Sequence, residues 1–140
     1  MGPKLHEQVC FAFYSTSRAI TQAYKPLLEP LNLTYPQYVV MMALWYSEAV
    51  KITDIAEMTG ITNATLSPLL KRLELNGYIE RRIEENDERQ KIIALTKSGR
   101  ALGKKAKKAA ELAFCATGLT DKEAEKLFNL CANIKQNLTD

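Results

Sequence analysis

The chain has 140 residues, 46% of them apolar and 25% charged, the mix of an ordinary globular domain. That length supports one domain with its own core, and no stretch approaches the ~20 apolar residues of a membrane-crossing helix. A net charge of +3 is too small to identify a nucleic-acid partner. Three cysteines behind an N-terminus without an apolar signal core point to a cytoplasmic protein rather than a disulfide framework.

A helical pattern runs from about Glu7 to Glu29, with Leu5, Val9, Phe13, Thr16 and Ile20 along one side. Pro26 should bend or end it, and Pro30-Leu31-Asn32 marks a turn. A second helix starts at Thr34-Tyr35-Pro36, with Thr34 or Tyr35 as its cap and Pro36 in the first turn, where a missing N–H costs nothing. Its run from Tyr38 to Trp45 is almost wholly apolar, which makes it central. Lys51 to Thr59 reads as a short third helix stopped by Gly60, with Asp54 near its positive end.

A fourth helix opens at Thr62 and buries Leu66, Leu69, Leu70 and Leu73 at i, i+3, i+4, i+7 spacing. Gly77 stops it. Tyr78–Ile83 and Lys91–Leu95 read as two strands joined by polar residues 84–90. Two more helices follow, Thr96 to about Ala116 and Asp121 to about Leu138, the last opened by a Thr120/Glu123 capping box. The fold class is mainly α: about six helices plus a β-hairpin, in one domain over residues 1–140.

The helix pair closed by Gly60-Ile61-Thr62 has the layout of a helix-turn-helix, whose second helix enters the DNA major groove. Its outward positions carry Thr62, Asn63, Thr65, Ser67 and Pro68, small or polar groups able to approach base edges. Lys71 and Arg72 follow as phosphate-binding cations, and Arg81 lies on the first strand. The hairpin would be a wing with Arg89 near its tip. Glu84, Glu85, Asp87 and Glu88 there repel phosphate, so Arg89 works only if Asp87 pairs with its guanidinium and holds it. An ordinary αα-hairpin with a solvated face fits the same residues.

The segments Leu66-Ser67-Pro68-Leu69-Leu70-Lys71-Arg72-Leu73-Glu74, Gly77-Tyr78-Ile79, Asp87-Glu88-Arg89-Gln90 and Leu95-Thr96-Lys97-Ser98-Gly99-Arg100 resemble the MarR family of bacterial regulators over essentially the whole chain. The resemblance implies a winged helix-turn-helix that binds double-stranded DNA with an inverted-repeat operator as a homodimer. Residues of about 1–33 and 97–140 would form the dimerisation helices, and about 34–96 the DNA-binding part. It also implies recognition residues among 62–72, a wing Arg89 in the minor groove and an Asp87 that orients it.

A narrower resemblance sits at the N-terminus. Cys10-Phe11-Ala12-Phe13-Tyr14, Tyr24-Lys25-Pro26-Leu27-Leu28 and Leu33-Thr34-Tyr35-Pro36-Gln37-Tyr38 are similar to the OhrR-like organic hydroperoxide regulators. This implies Cys10 as the oxidant-sensing thiol, organic hydroperoxide as the signal, and Tyr14, Tyr24 and Tyr35 as groups that stabilise the thiolate. Two-cysteine members imply Cys115 of the partner chain as the resolving thiol. Fourteen residues separate Cys10 from Tyr24, about 21 Å along one helix, so the two could meet only between antiparallel copies of that helix. Cys10 lies near the start of its helix, where the dipole favours negative charge.

The remaining features read as structural. Cys131 shares an apolar stripe with Leu127, Ile134 and Leu138 and is expected to pack. Lys104, Lys105, Lys107 and Lys108 suit a solvated face, and Trp45 and Met41-Met42 suit the core. His6 has no partner at metal-ligand spacing, and no cofactor is implied. Two other functions fit the same chain: a MarR-type regulator answering to a bound aromatic ligand, and a thiol peroxidase built on Cys10.

Overall fold

The computed structural model describes the backbone of residues 1–84 and 87–139, with side chains for residues 1–83 and 91–139. A 3₁₀ turn at Leu5–Glu7 leads into α1 (Val9–Leu28), and a second at Glu29–Leu31 leaves it. Then come α2 (Tyr35–Ser47), β1 (Ala49–Lys51), α3 (Ile52–Thr59), α4 (Asn63–Leu75), β2 (Ile79–Glu84), β3 (Asp87–Leu95), α5 (Lys97–Thr117) and α6 (Asp121–Thr139). The strands form one antiparallel sheet in the order β1-β3-β2, with Val50 opposite Ile93 and Ile79 opposite Leu95.

The core lies in the middle of the chain. Leu66, Leu70 and Leu73 of α4 are fully buried against Val40, Met41 and Leu44 of α2, Ile55 of α3 and Ile93 of β3. Burying each such side chain contributes roughly 1.5–3 kcal/mol. The terminal helices contribute little to this core. Only Leu28 of α1 and Ala124 of α6 are buried, and α1 packs mainly along α5. Val9, Phe13 and Tyr14 of α1, Leu112 and Phe114 of α5, and Leu127, Phe128, Leu130 and Leu138 of α6 all stay exposed.

Local chemistry explains most boundaries. Thr34 and Gln37 form a reciprocal capping box at α2, with Thr34 N–H donating to Gln37 Oε1 at 2.9 Å. Gly60 closes α3 in the left-handed region at φ 72°, where a side chain is disfavoured. The Thr120/Glu123 capping box is present, and the two hydrogen bonds from Thr120 hold the Glu123 carboxyl below its ordinary value.

Four expectations need correction. Pro26 does not end α1, which runs two residues further. The loss of one N–H near a helix end is tolerable there, and Pro30 and Asn32 (φ 56°) make the turn instead. Helix α1 starts at Val9 rather than Glu7. Strand β1 was not expected; it forms because β3 offers a free edge beside Ala49–Lys51. Finally, β3 begins at Asp87, inside the segment read as a polar link.

Candidate nucleic-acid interface and thiol site

Helix α4 is set at its angle by the turn before it. Thr59 Oγ1 donates to Ile55 O at 2.7 Å and accepts from Ile61 N–H at 3.2 Å, so one hydroxyl threads the turn. Ile61 packs against the core and anchors it. Thr62 caps α4 with extended backbone, and its hydroxyl bonds that of Thr65 at 3.2 Å. With the leucine stripe facing inward, Thr62, Asn63, Thr65, Ser67, Pro68, Lys71 and Arg72 are all exposed on one surface. Pro68 has no N–H, so the Ala64 carbonyl loses its usual helical donor within that surface.

Arg81 is exposed but not free. Its Nε lies 3.6 Å from Glu74 Oε2, which ties β2 to the last turn of α4. Arg82 is similarly engaged, with Nε donating to Glu80 Oε1 at 2.8 Å. The expected pairing of Asp87 with Arg89 lies outside the described side chains.

The thiol residues divide into two groups. Tyr24 and Tyr35 come together, with ring centroids 5.3 Å apart, and Tyr38 completes a triangle at 5.2 and 5.9 Å. Cys10 and Tyr14 sit at the other end of α1. Cys10 is exposed, and Tyr14 is 61% exposed under the Arg18 guanidinium at 5.7 Å. Within one chain Cys10 is therefore some ~21 Å along the helix from Tyr24. Cys115 is exposed near the end of α5.

Sequence reasoning assigned Tyr38 to the core alone. It is core, at 3% exposure, but it also completes the phenol cluster; the i, i+3 spacing from Tyr35 was the available signal. Cys131 is half-buried and shares a groove of about 480 Å³ with Val9, Phe13, Thr16, Ile20, Leu127 and Tyr35. Met41 is fully buried as expected. Met42 is exposed, and Trp45 is half-buried at the edge of the core.

Burial, and secondarily the Tyr24 phenol, raises the Tyr35 phenol above its ordinary value and raises Tyr38 further. Both are O–H donors at neutral pH, as ordinary phenols are, and the shift extends that state to higher pH. The same shifts set a stability trend. A raised folded value stabilises below the unfolded phenol pKa near ~10, and that stability is lost as pH rises through the folded values. Chemical denaturation midpoints should fall between about pH 9 and about pH 11, and more shallowly in Tyr38→Phe. An equal slope in that variant would refute the buried-phenol account.

Among the described residues no group of His, Cys, Asp and Glu could hold a metal ion, and no helix is long and apolar enough to cross a membrane.

A family model described as the transcriptional regulator SarA/Rot matches residues 22–106. The organic hydroperoxide resistance transcriptional regulator of Bacillus subtilis is 45% identical over 103 residues, covering 74% of this chain and 70% of that protein. Reduced AbfR bound to DNA, AbfR being from Staphylococcus epidermidis, matches with a TM-score of 0.80 at 30% identity, over 97% of this chain and 95% of that one. The disulfide form of AbfR matches less closely, at 0.67 over 96% and 89% with the same identity. BpsR of Bordetella bronchiseptica, whose DNA binding is regulated by 6-hydroxynicotinic acid, reaches 0.86 at 26% identity over 96% and 98%.

Proposed function

The chain belongs to the SarA/Rot family of MarR-like winged-helix transcriptional regulators, and from that premise we propose that it is a cytoplasmic repressor released from its operator by thiol oxidation. It works as a homodimer on inverted-repeat DNA. Residues of about 1–33 and 97–140 build the dimer and about 34–96 read the DNA. The exposed apolar side chains of α1, α5 and α6 supply the dimer surface. Thr62, Asn63, Thr65, Ser67 and Pro68 face the base edges, and Lys71 and Arg72 face phosphates. Arg81 serves the same interface from β2, held by Glu74.

The observation that carries the redox reading is the phenol cluster: the ring centroids of Tyr24, Tyr35 and Tyr38 lie within 6 Å of one another. Such a cluster suits a thiolate presented by Cys10 of a second chain. Hydroperoxide oxidises that thiolate to a sulfenic acid, releasing the alcohol. Cys115 of the other chain then displaces water to give a disulfide. The closer likeness to DNA-bound reduced AbfR than to its disulfide form supports a DNA-competent conformation here.

The test is a gel shift with reduced protein, repeated after cumene hydroperoxide and again after dithiothreitol. Binding, release and recovery are expected; retention of DNA after peroxide overturns the redox reading. The wing has its own test. Arg89→Ala should weaken operator binding by ~1–3 kcal/mol in fluorescence anisotropy. Asp87→Ala should weaken it too, although it removes negative charge. Tighter binding by Asp87→Ala would make the acidic wing merely repulsive.

A second reading, response to a bound aromatic anion, is favoured by a separate cleft of about 600 Å³ between α2 and α5. Tyr38, Met42 and Trp45 line it beside Arg100, Lys104 and Lys107. Release of reduced protein by an aromatic carboxylate, without peroxide, would select that reading.

A further inference from the structure

The first turn of α5 is bound to the winged unit from several directions. Trp45 Nε1 donates to Gly99 O at 2.9 Å. Thr96 N–H donates to Tyr78 O at 3.1 Å, and Thr96 Oγ1 to Gly77 O at 2.6 Å. The Tyr78 hydroxyl donates to Leu31 O at 2.8 Å, so the base of the wing is tied to the turn after α1 as well. Gly99 lies so close that a Cβ there would stand 2.0 Å from Tyr78 O.

The far side of this joint carries strain. Glu48, at the end of α2, has φ 60° and ψ −46°, a region that costs a non-glycine residue about 1–3 kcal/mol and persists only where its surroundings over-determine it. Its N–H reaches Leu44 O, its carbonyl accepts from Leu95 N–H at 3.1 Å, and its carboxylate pairs with Arg100 Nε at 3.2 Å. All three contacts run into α2, β3 and α5, the elements that meet here.

A helix end held in this way cannot swing alone. We propose that Trp45, whose indole N–H ties α5 to α2, and Tyr78, whose hydroxyl ties the base of the wing to the turn after α1, are positioning residues that make these elements one rigid lever, so that a shift at the Cys115 end of α5 is delivered to α4 as a rotation. This rests on the redox-dimer reading above. Gly99 and Cys115 are sixteen residues apart, about 24 Å of helix. A movement of ~3 Å at that end therefore turns the lever by about 7°. Two recognition helices matched to successive grooves ~34 Å apart lose register through such a rotation.

Trp45→Phe keeps an aromatic side chain but loses the indole N–H, and Tyr78→Phe keeps its ring and loses the hydroxyl, so each removes one donor. The probe is a duplex selected from a random pool by the reduced wild-type protein, with anisotropy read before and after cumene hydroperoxide and Cys10 oxidation followed by mass. Both variants should bind within about threefold of wild type when reduced and oxidise Cys10 at the wild-type rate. Their peroxide-induced loss of affinity should shrink by about tenfold or more, because the coupling and not the chemistry has been cut. Arg100→Gln, which cuts only the surface pair, should shrink it in the same direction and guards against a variant that fails to fold. Undiminished release in all three overturns the lever while leaving the redox reading intact. If wild type itself holds DNA after Cys10 is oxidised, the redox reading falls and the lever with it.

Discussion

Cys10→Ser should bind operator as the reduced wild type does and ignore hydroperoxide altogether. The side chain is exposed, so its loss removes no core packing. Serine keeps the size and loses the nucleophile, since only a thiolate reacts with peroxide at neutral pH. The effect is therefore all or none on release and close to zero on binding. Non-reducing gels give the companion result. Peroxide should crosslink the wild-type dimer, the band should vanish in Cys115→Ser, and it should persist in Cys131→Ser. Loss of the band in Cys131→Ser would move the resolving role to the thiol that shares the groove with Tyr35. Release of Cys10→Ser by peroxide at the wild-type rate would refute the sensor.

Gly99→Ala should destabilise the fold by at least about 3 kcal/mol and lower the melting temperature by roughly 10 °C. Alanine gains about 1 kcal/mol of helix propensity over glycine, so the usual expectation is the opposite sign. The contact decides it. The new methyl would meet Tyr78 O at 2.0 Å, and that carbonyl cannot retreat, because it accepts from Thr96 N–H while the Tyr78 N–H is held by Leu73 O. Gly103→Ala is the control. Its methyl would meet the Trp45 ring at 3.3 Å, a side chain able to shift, so the change should lie within about 1 kcal/mol of neutral. Equal melting curves for the two variants would show that the joint yields.

Much of this was legible because the signals were local. The leucine stripe of α4, the Thr34 cap, Gly60, Gly77 and the Thr120/Glu123 box each act within a few residues, and the elements follow them. What was not legible depends on distant partners. Three residues of β1 carry no alternation to read; they become a strand only because β3 lies alongside. Asp87 to Gln90 have poor strand propensity, and pairing with β2 draws them into β3. Tyr24 and Tyr35 were identified through a family likeness, while Tyr38, in an apolar run, disclosed nothing of its place in the cluster. The ion pair of Arg81 with Glu74 required knowing that β2 returns past the end of α4. The groove that Cys131 shares with Tyr35 likewise joins residues nearly a hundred positions apart.

The isolation of α6 has a consequence for how this protein responds to its own abundance. Of its nineteen residues only Ala124 is buried, and Phe128 and Leu138 are 68% and 80% exposed. In the homodimer proposed above, a helix left that bare gains its stability from the second copy, so folding and assembly become one equilibrium. In such a system dilution acts as a denaturant does: each tenfold drop in concentration removes about 1.4 kcal/mol from the assembled state. Thermal stability is then a property of the cell's inventory as much as of the chain. Unfolding temperatures should climb with protein concentration, and truncation after Thr120 should abolish that climb.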